Sequence, residues 1–118
     1  MKEPSTAVTM ARAKERRFRA LRGDWKPILD ALTADVFVTF DLDALDPSLL
    51  PGTGTPEPGG LDWYEAVDLL AAVAASKRIV GFDIVELAPI GGQVASDFLA
   101  ARLAYRMMGL ALRSGSRR

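Results

Sequence analysis

VFVTFDLDALDPSLLPGTGTPEPGGL occupies residues 36–61. Its first six residues, VFVTFD, are rich in β-branched and aromatic side chains and read as a buried strand. Three carboxylates follow at once, at Asp41, Asp43 and Asp46. The rest reads as loop, with Pro47, Pro51, Pro56 and Pro58 interleaved with Gly52, Gly54, Gly59 and Gly60. So long a loop is uncommon in a compact domain unless it builds a site. Glu57 stands between two prolines, which stiffen it into a wall.

Downstream, Asp62 and Glu65 have the spacing of a reciprocal capping box, predicting a helix over WYEAVDLLAAVAAS. Val67, Leu70, Ala71 and Ala74 give it one apolar face. RIVGFDIVEL, residues 78–87, predicts a second strand, which APIGG breaks. A last helix starts at Ser96 or Asp97 and is expected to end near Gly109. Leu99, Leu103, Met107 and Leu110 form its apolar side, and Arg102, Arg106 and Arg113 a solvated basic stripe. Upstream, KPILDAL at 26–32 suits a short helix with Pro27 in its first turn. Residues 11–25 read as a basic surface helix stopped by Gly23, and Val8, Thr9 and Met10 as a short strand. Apolar strands alternating with helices indicate an α/β fold with a parallel sheet. With so few strands in view, the chain reads as part of a larger sheet.

Composition narrows function by exclusion. The 118 residues suffice for one domain; 15 basic and 15 acidic residues cancel. Zero net charge argues for neither a nucleic-acid partner nor an anionic membrane, and neither is expected. Lys14, Arg16, Arg17, Arg19 and Arg22 make only one basic segment on a neutral protein. No cysteine is present, which excludes disulfides, thiolate catalysis and cysteine–zinc sites, and the expected compartment is the cytoplasm. No apolar run has the length of a membrane span. There is no histidine, so the usual neutral-pH base is missing.

Ligands of parallel sheets gather beyond the carboxyl ends of strands, where Asp41 and Glu86 fall. Asp41 and Asp43 alternate by two, so in continuing extended backbone their side chains share a face. Two carboxylates on one side suit a hard or borderline cation such as Mn²⁺ or Mg²⁺. Asp46 before Pro47 reads as a turn former, Glu57 as loop decoration and Asp83 as structural. FDLDALD also has the two-aspartate spacing of haloacid-dehalogenase-like phosphatases, but Ala44 and Leu45 stand where that family prefers Gly-Thr.

The strand, the Asp-x-Asp, the Asp-Pro, the PGTGTPEPGG loop and the later GFDIVELAP segment occur in one order and spacing. Together they resemble the C-terminal signature of the ureohydrolase family of arginases, agmatinases and related amidinohydrolases. The loop is similar to agmatinase-like members. The resemblance implies a three-layer α/β/α arginase-like fold of which the C-terminal portion is present. It implies hydrolysis of a guanidino compound at a pair of manganese ions, with release of urea. Asp41 would bridge both metals and Asp43 bind one. Glu86 would pair with the substrate guanidinium, and Thr55 would shape the pocket from the loop.

One departure matters. The family's metal sites also use a histidine and an Asp-x-His-x-Asp segment, neither of which occurs here. The expectation is a partial ureohydrolase domain over residues 1–118, with 1–6 and 111–118 flexible and the metal site weak or incomplete. Such a chain would be an inactive truncated fragment, or a complementing subunit or interaction module, with a homo-oligomer or a partner chain supplying the missing half. Its unpaired sheet edges would then favour docking or aggregation.

Overall fold

The computed structural model describes residues 23–115. The strand at Val8–Met10, nearly all of the basic helix and residues 1–6 lie outside them. The order of elements is α1 (Lys26–Ala31), β1 (Asp35–Asp41), a 3₁₀ turn (Leu42–Ala44), α2 (Trp63–Ser76), β2 (Arg78–Val85) and α3 (Ala95–Gly115). The expected α/β alternation holds. β1 and β2 pair in parallel as a two-stranded sheet among the described residues.

Local chemistry accounts for each boundary. Pro27 sits in the first turn of α1. At α2, the Asp62 carboxylate accepts the Glu65 N–H at 2.7 Å and Glu65 accepts the Asp62 N–H at 3.3 Å. That is the capping box the spacing predicts. At the start of the sheet, Asp35 and Arg78 are register partners and form a two-pronged pair at 2.8 and 2.5 Å. The register slips between Val36 and Phe37, so Val80 has no partner and is 51% exposed. Gly81 then leaves room for the Phe37 ring, which a Cβ would meet at 2.9 Å.

The core lies between the sheet, α2 and α3. Phe40, Leu42, Leu45, Leu61, Leu69, Leu70, Leu103 and Met107 are fully buried. Each such side chain contributes about 1.5–3 kcal/mol of hydrophobic free energy. No helix among the described residues is long and apolar enough to cross a membrane.

Two boundaries differ from the sequence expectation. β2 ends at Val85 rather than residue 87, because Glu86 turns to φ +72°. α3 does not stop near Gly109 but continues to Gly115, so residues 111–115 are helical. Leu110 and Ser114 are buried beyond that glycine. The Ser114 hydroxyl accepts the Ile79 N–H at 3.0 Å and donates to the Ala111 carbonyl at 2.8 Å. These contacts outweigh the roughly 1 kcal/mol that a helix-interior glycine costs. Ser114→Ala, which leaves the Ile79 amide without its acceptor, is expected to lower stability by about 1–3 kcal/mol in urea denaturation. A midpoint equal to that of the parent would show that the bond does not anchor α3.

Candidate functional site

Parallel pairing aligns the carboxyl ends of the two strands. Asp41 is the last residue of β1 and pairs with Val85, so Glu86 is the next residue on the neighbouring strand. Glu86 is exposed and is the one described non-glycine residue at positive φ, +72°. A bulky side chain in that region is strained, and such strain concentrates at functional positions.

The backbone does not continue extended through Asp43, contrary to the geometry assumed for the Asp41–Asp43 pair. It enters the 3₁₀ turn after Asp41. The alternation survives in burial all the same: Phe40, Leu42 and Ala44 are buried, while Asp41 and Asp43 keep partial exposure. The Thr55 hydroxyl donates to Asp43 Oδ2 at 2.7 Å, so the loop reaches back over the strand end. Asp83 lies inside β2 opposite Thr39, away from that end, and Glu57 is on the exposed loop.

Asp46 holds the loop together. Its Oδ1 accepts the Ser48 N–H at 3.0 Å and the Ser48 hydroxyl at 2.6 Å. Its Oδ2 accepts the Gly59 and Gly60 N–H groups at 3.0 and 3.2 Å. One carboxylate thus closes both ends of the loop, a larger task than turn formation. The Ser48 hydroxyl is the main cause of the depressed Asp46 pKa, followed by the Ser48, Gly59 and Gly60 amides; partial burial opposes them. Gly60 is required by space, since a Cβ there would lie 2.6 Å from Asp46 N and Leu45 C. Spacing alone does not reveal the second tie. Gly52 donates its N–H to the buried Ser96 hydroxyl at 2.9 Å and accepts the Ala88 N–H at 2.8 Å. The loop after β1 is thereby bound to the loop after β2 and to the start of α3.

Carboxylate oxygens suit a hard cation in kind but not in number. Such ions take a near-octahedral set of ligands. Among the described residues, no group of three or more Asp, Glu, His or Cys side chains could hold a metal ion. With no histidine in the sequence, a manganese pair does not fit the donors present.

The sequence pattern of the Arginase family is matched over residues 2–109. The chain belongs to the arginase family. Among curated relatives of this arginase-family chain, the N(1)-aminopropylagmatine ureohydrolase of Synechocystis sp. is 48% identical over 82 residues, 70% of this chain and 27% of its own. The protein of the same name from Thermus thermophilus is 52% identical over 83 residues, 70% of this chain and 28% of its own. The solved structure of proclavaminate amidino hydrolase from Streptomyces clavuligerus aligns with a TM-score of 0.73 at 33% identity, covering 82% of this chain and 33% of that one. The chain thus spans under a third of the length of the curated relatives it matches.

Two outcomes test the loop. Gly60→Ala is expected to cost about 2 kcal/mol, because the atoms in its way are backbone; unchanged thermal stability would refute the clash. Asp46 titrates below its ordinary value of 3.8 in the folded chain, so its clamp is complete above that pH and is lost as pH falls through the depressed pKa. The amide resonances of Ser48, Gly59 and Gly60 should shift together with a midpoint below 3.8, and not at all in Asp46→Asn. A midpoint at or above the ordinary value would remove the clamp as the cause.

Proposed function

We propose that this chain carries the carboxylate side of an arginase-family hydrolytic site and that its 118 residues alone do not complete it. In this reading Asp41 and Asp43 are metal ligands. Glu86 pairs with a guanidinium, for which a carboxylate offers two parallel charge-assisted hydrogen bonds. Thr55 sets the Asp43 carboxylate and lines the pocket. The observation that carries the reading is the convergence of Asp41, Asp43 with its Thr55 bond, and Glu86 at adjoining strand ends, without a three-donor cluster among the described residues.

The completed site would hydrolyse a guanidino compound of the agmatine type and release urea. The names of the relatives, ureohydrolases of an aminopropylated agmatine, favour that substrate class. When bound, the metal pair would supply Lewis-acid activation of water. The remaining donors would come from polypeptide outside these residues. Exposed apolar side chains on the sheet, Phe37 at 42% and Val80 at 51%, favour such docking, since lone strand edges and apolar faces recruit partners.

Manganese titration calorimetry on the 118-residue chain tests this, with the Asp41→Asn/Asp43→Asn double variant as control. Millimolar binding that the double variant loses, with no urea released from agmatine, is the expected result. Micromolar binding of two ions would overturn the claim of an incomplete site. Binding that survives in the double variant would overturn Asp41 and Asp43 as ligands.

A further inference from the structure

The basic stripe of α3 is not a plain convex surface. Arg102, Arg106, Gly109 and Arg113 follow the i, i+4, i+7, i+11 progression of one helix face, spread along about 16 Å of axis. With Tyr105, and with Trp63 from the first turn of α2, they line an open recess of about 270 Å³. Gly109 makes a dip in the stripe. The Arg113 guanidinium folds back over it, its nitrogens 3.7 and 4.0 Å from where a Cβ would stand. Trp63 packs against the core and is a fixed wall, whereas Tyr105 is 73% exposed and presents its ring to solvent.

Guanidinium groups one turn apart repel each other unless an anion lies between them. Among the described residues, no carboxylate forms an ion pair with Arg102 or Arg106. The nearest acids in sequence to Trp63, Asp62 and Glu65, are bound to each other's backbone N–H groups in the capping box. Arg102 and Arg106, arginines rather than lysines, offer planar forks, which match phosphate oxygens two at a time. Aromatic rings beside such forks suit a planar ring that stacks on them. The volume of about 270 Å³ lies just below the roughly 300–1,000 Å³ typical of ligand pockets, which limits the site to a small ligand.

We propose that this recess binds a small phosphorylated ligand bearing an aromatic ring, the chemical class of a mononucleotide, with Arg102 and Arg106 on the phosphate and Trp63 and Tyr105 beside the ring. The recess shares no residue with the strand-end carboxylates, so the inference does not rest on the proposed hydrolytic reading.

Tryptophan fluorescence tests it. The chain has two tryptophans, and Trp25→Phe leaves Trp63 as the sole reporter. Adenosine monophosphate, adenosine and inorganic phosphate are titrated separately. The nucleotide should give saturable quenching, with affinity about tenfold or more above that of adenosine, weakening as salt is raised. Arg102→Gln/Arg106→Gln should weaken it by about tenfold or more with an unchanged far-ultraviolet circular dichroism spectrum, and Tyr105→Ala, at an exposed position, should weaken it less. Equal affinity for nucleotide and adenosine, or an affinity that neither variant moves, overturns the site. Phosphate binding as tightly as the nucleotide overturns its assignment to a ligand with a ring.

Discussion

Parallel pairing of β1 with β2 is the constraint from which the remaining geometry follows. Strands that run the same way must be joined by a crossover, here the long loop and α2. They also bring their carboxyl ends to one edge, so that Asp41 pairs with Val85 and Glu86, 45 positions from Asp41 in the chain, follows directly on the neighbouring strand end. A slip of one residue would reverse which side chains of β1 face the core. The slip that does occur lies at the opposite end, between Val36 and Phe37, and leaves the carboxyl-end edge regular.

Given that edge, the problem is to hold some twenty residues of loop without regular secondary structure. Asp46 does much of it by accepting four hydrogen bonds from Ser48, Gly59 and Gly60. The Leu45–Leu61 bridge and the Gly52 contacts with Ser96 and Ala88 do the rest. Prolines limit the freedom the loop has to lose, and two glycines sit where a Cβ has no room. Thr55 can then meet Asp43 at 2.7 Å because the loop is already folded back. Precision at the strand end is therefore borrowed from a carboxylate that takes no direct part in the chemistry proposed for it.

The same structure shows why family membership and activity of this chain are separate matters. The match to the Arginase family extends over residues 2–109, yet the chain spans under a third of the relatives it matches. Two strand-end aspartates are a fair beginning for a hard-cation site, and a sheet with exposed Phe37 and Val80 is a fair beginning for a larger sheet. Among the described residues, the acids do not form a three-donor metal cluster and the sheet has two strands.

Local features were decided by sequence alone. The capping box at Asp62 and Glu65, the β-branched strands and the proline–glycine loop each depend on neighbours within a few residues, so their physics is written along the chain. The arginase-family resemblance was readable for a similar reason, since its motifs are contiguous. Tertiary structure decided what contiguous sequence does not encode. The helix extended past Gly109 because Ser114 meets Ile79, 35 residues away. Glu86 left the strand early through a left-handed turn that no propensity suggested. Asp46 became a clamp as well as a turn former, because its partners at Gly59 and Gly60 arrive only when the loop closes. The arginine stripe is exposed to solvent, as its period predicts, and also walls an open recess because α2 brings Trp63 beside it. Periodicity tells which side of a helix faces outward, but only the packing of a second element determines whether that side meets water or a cleft.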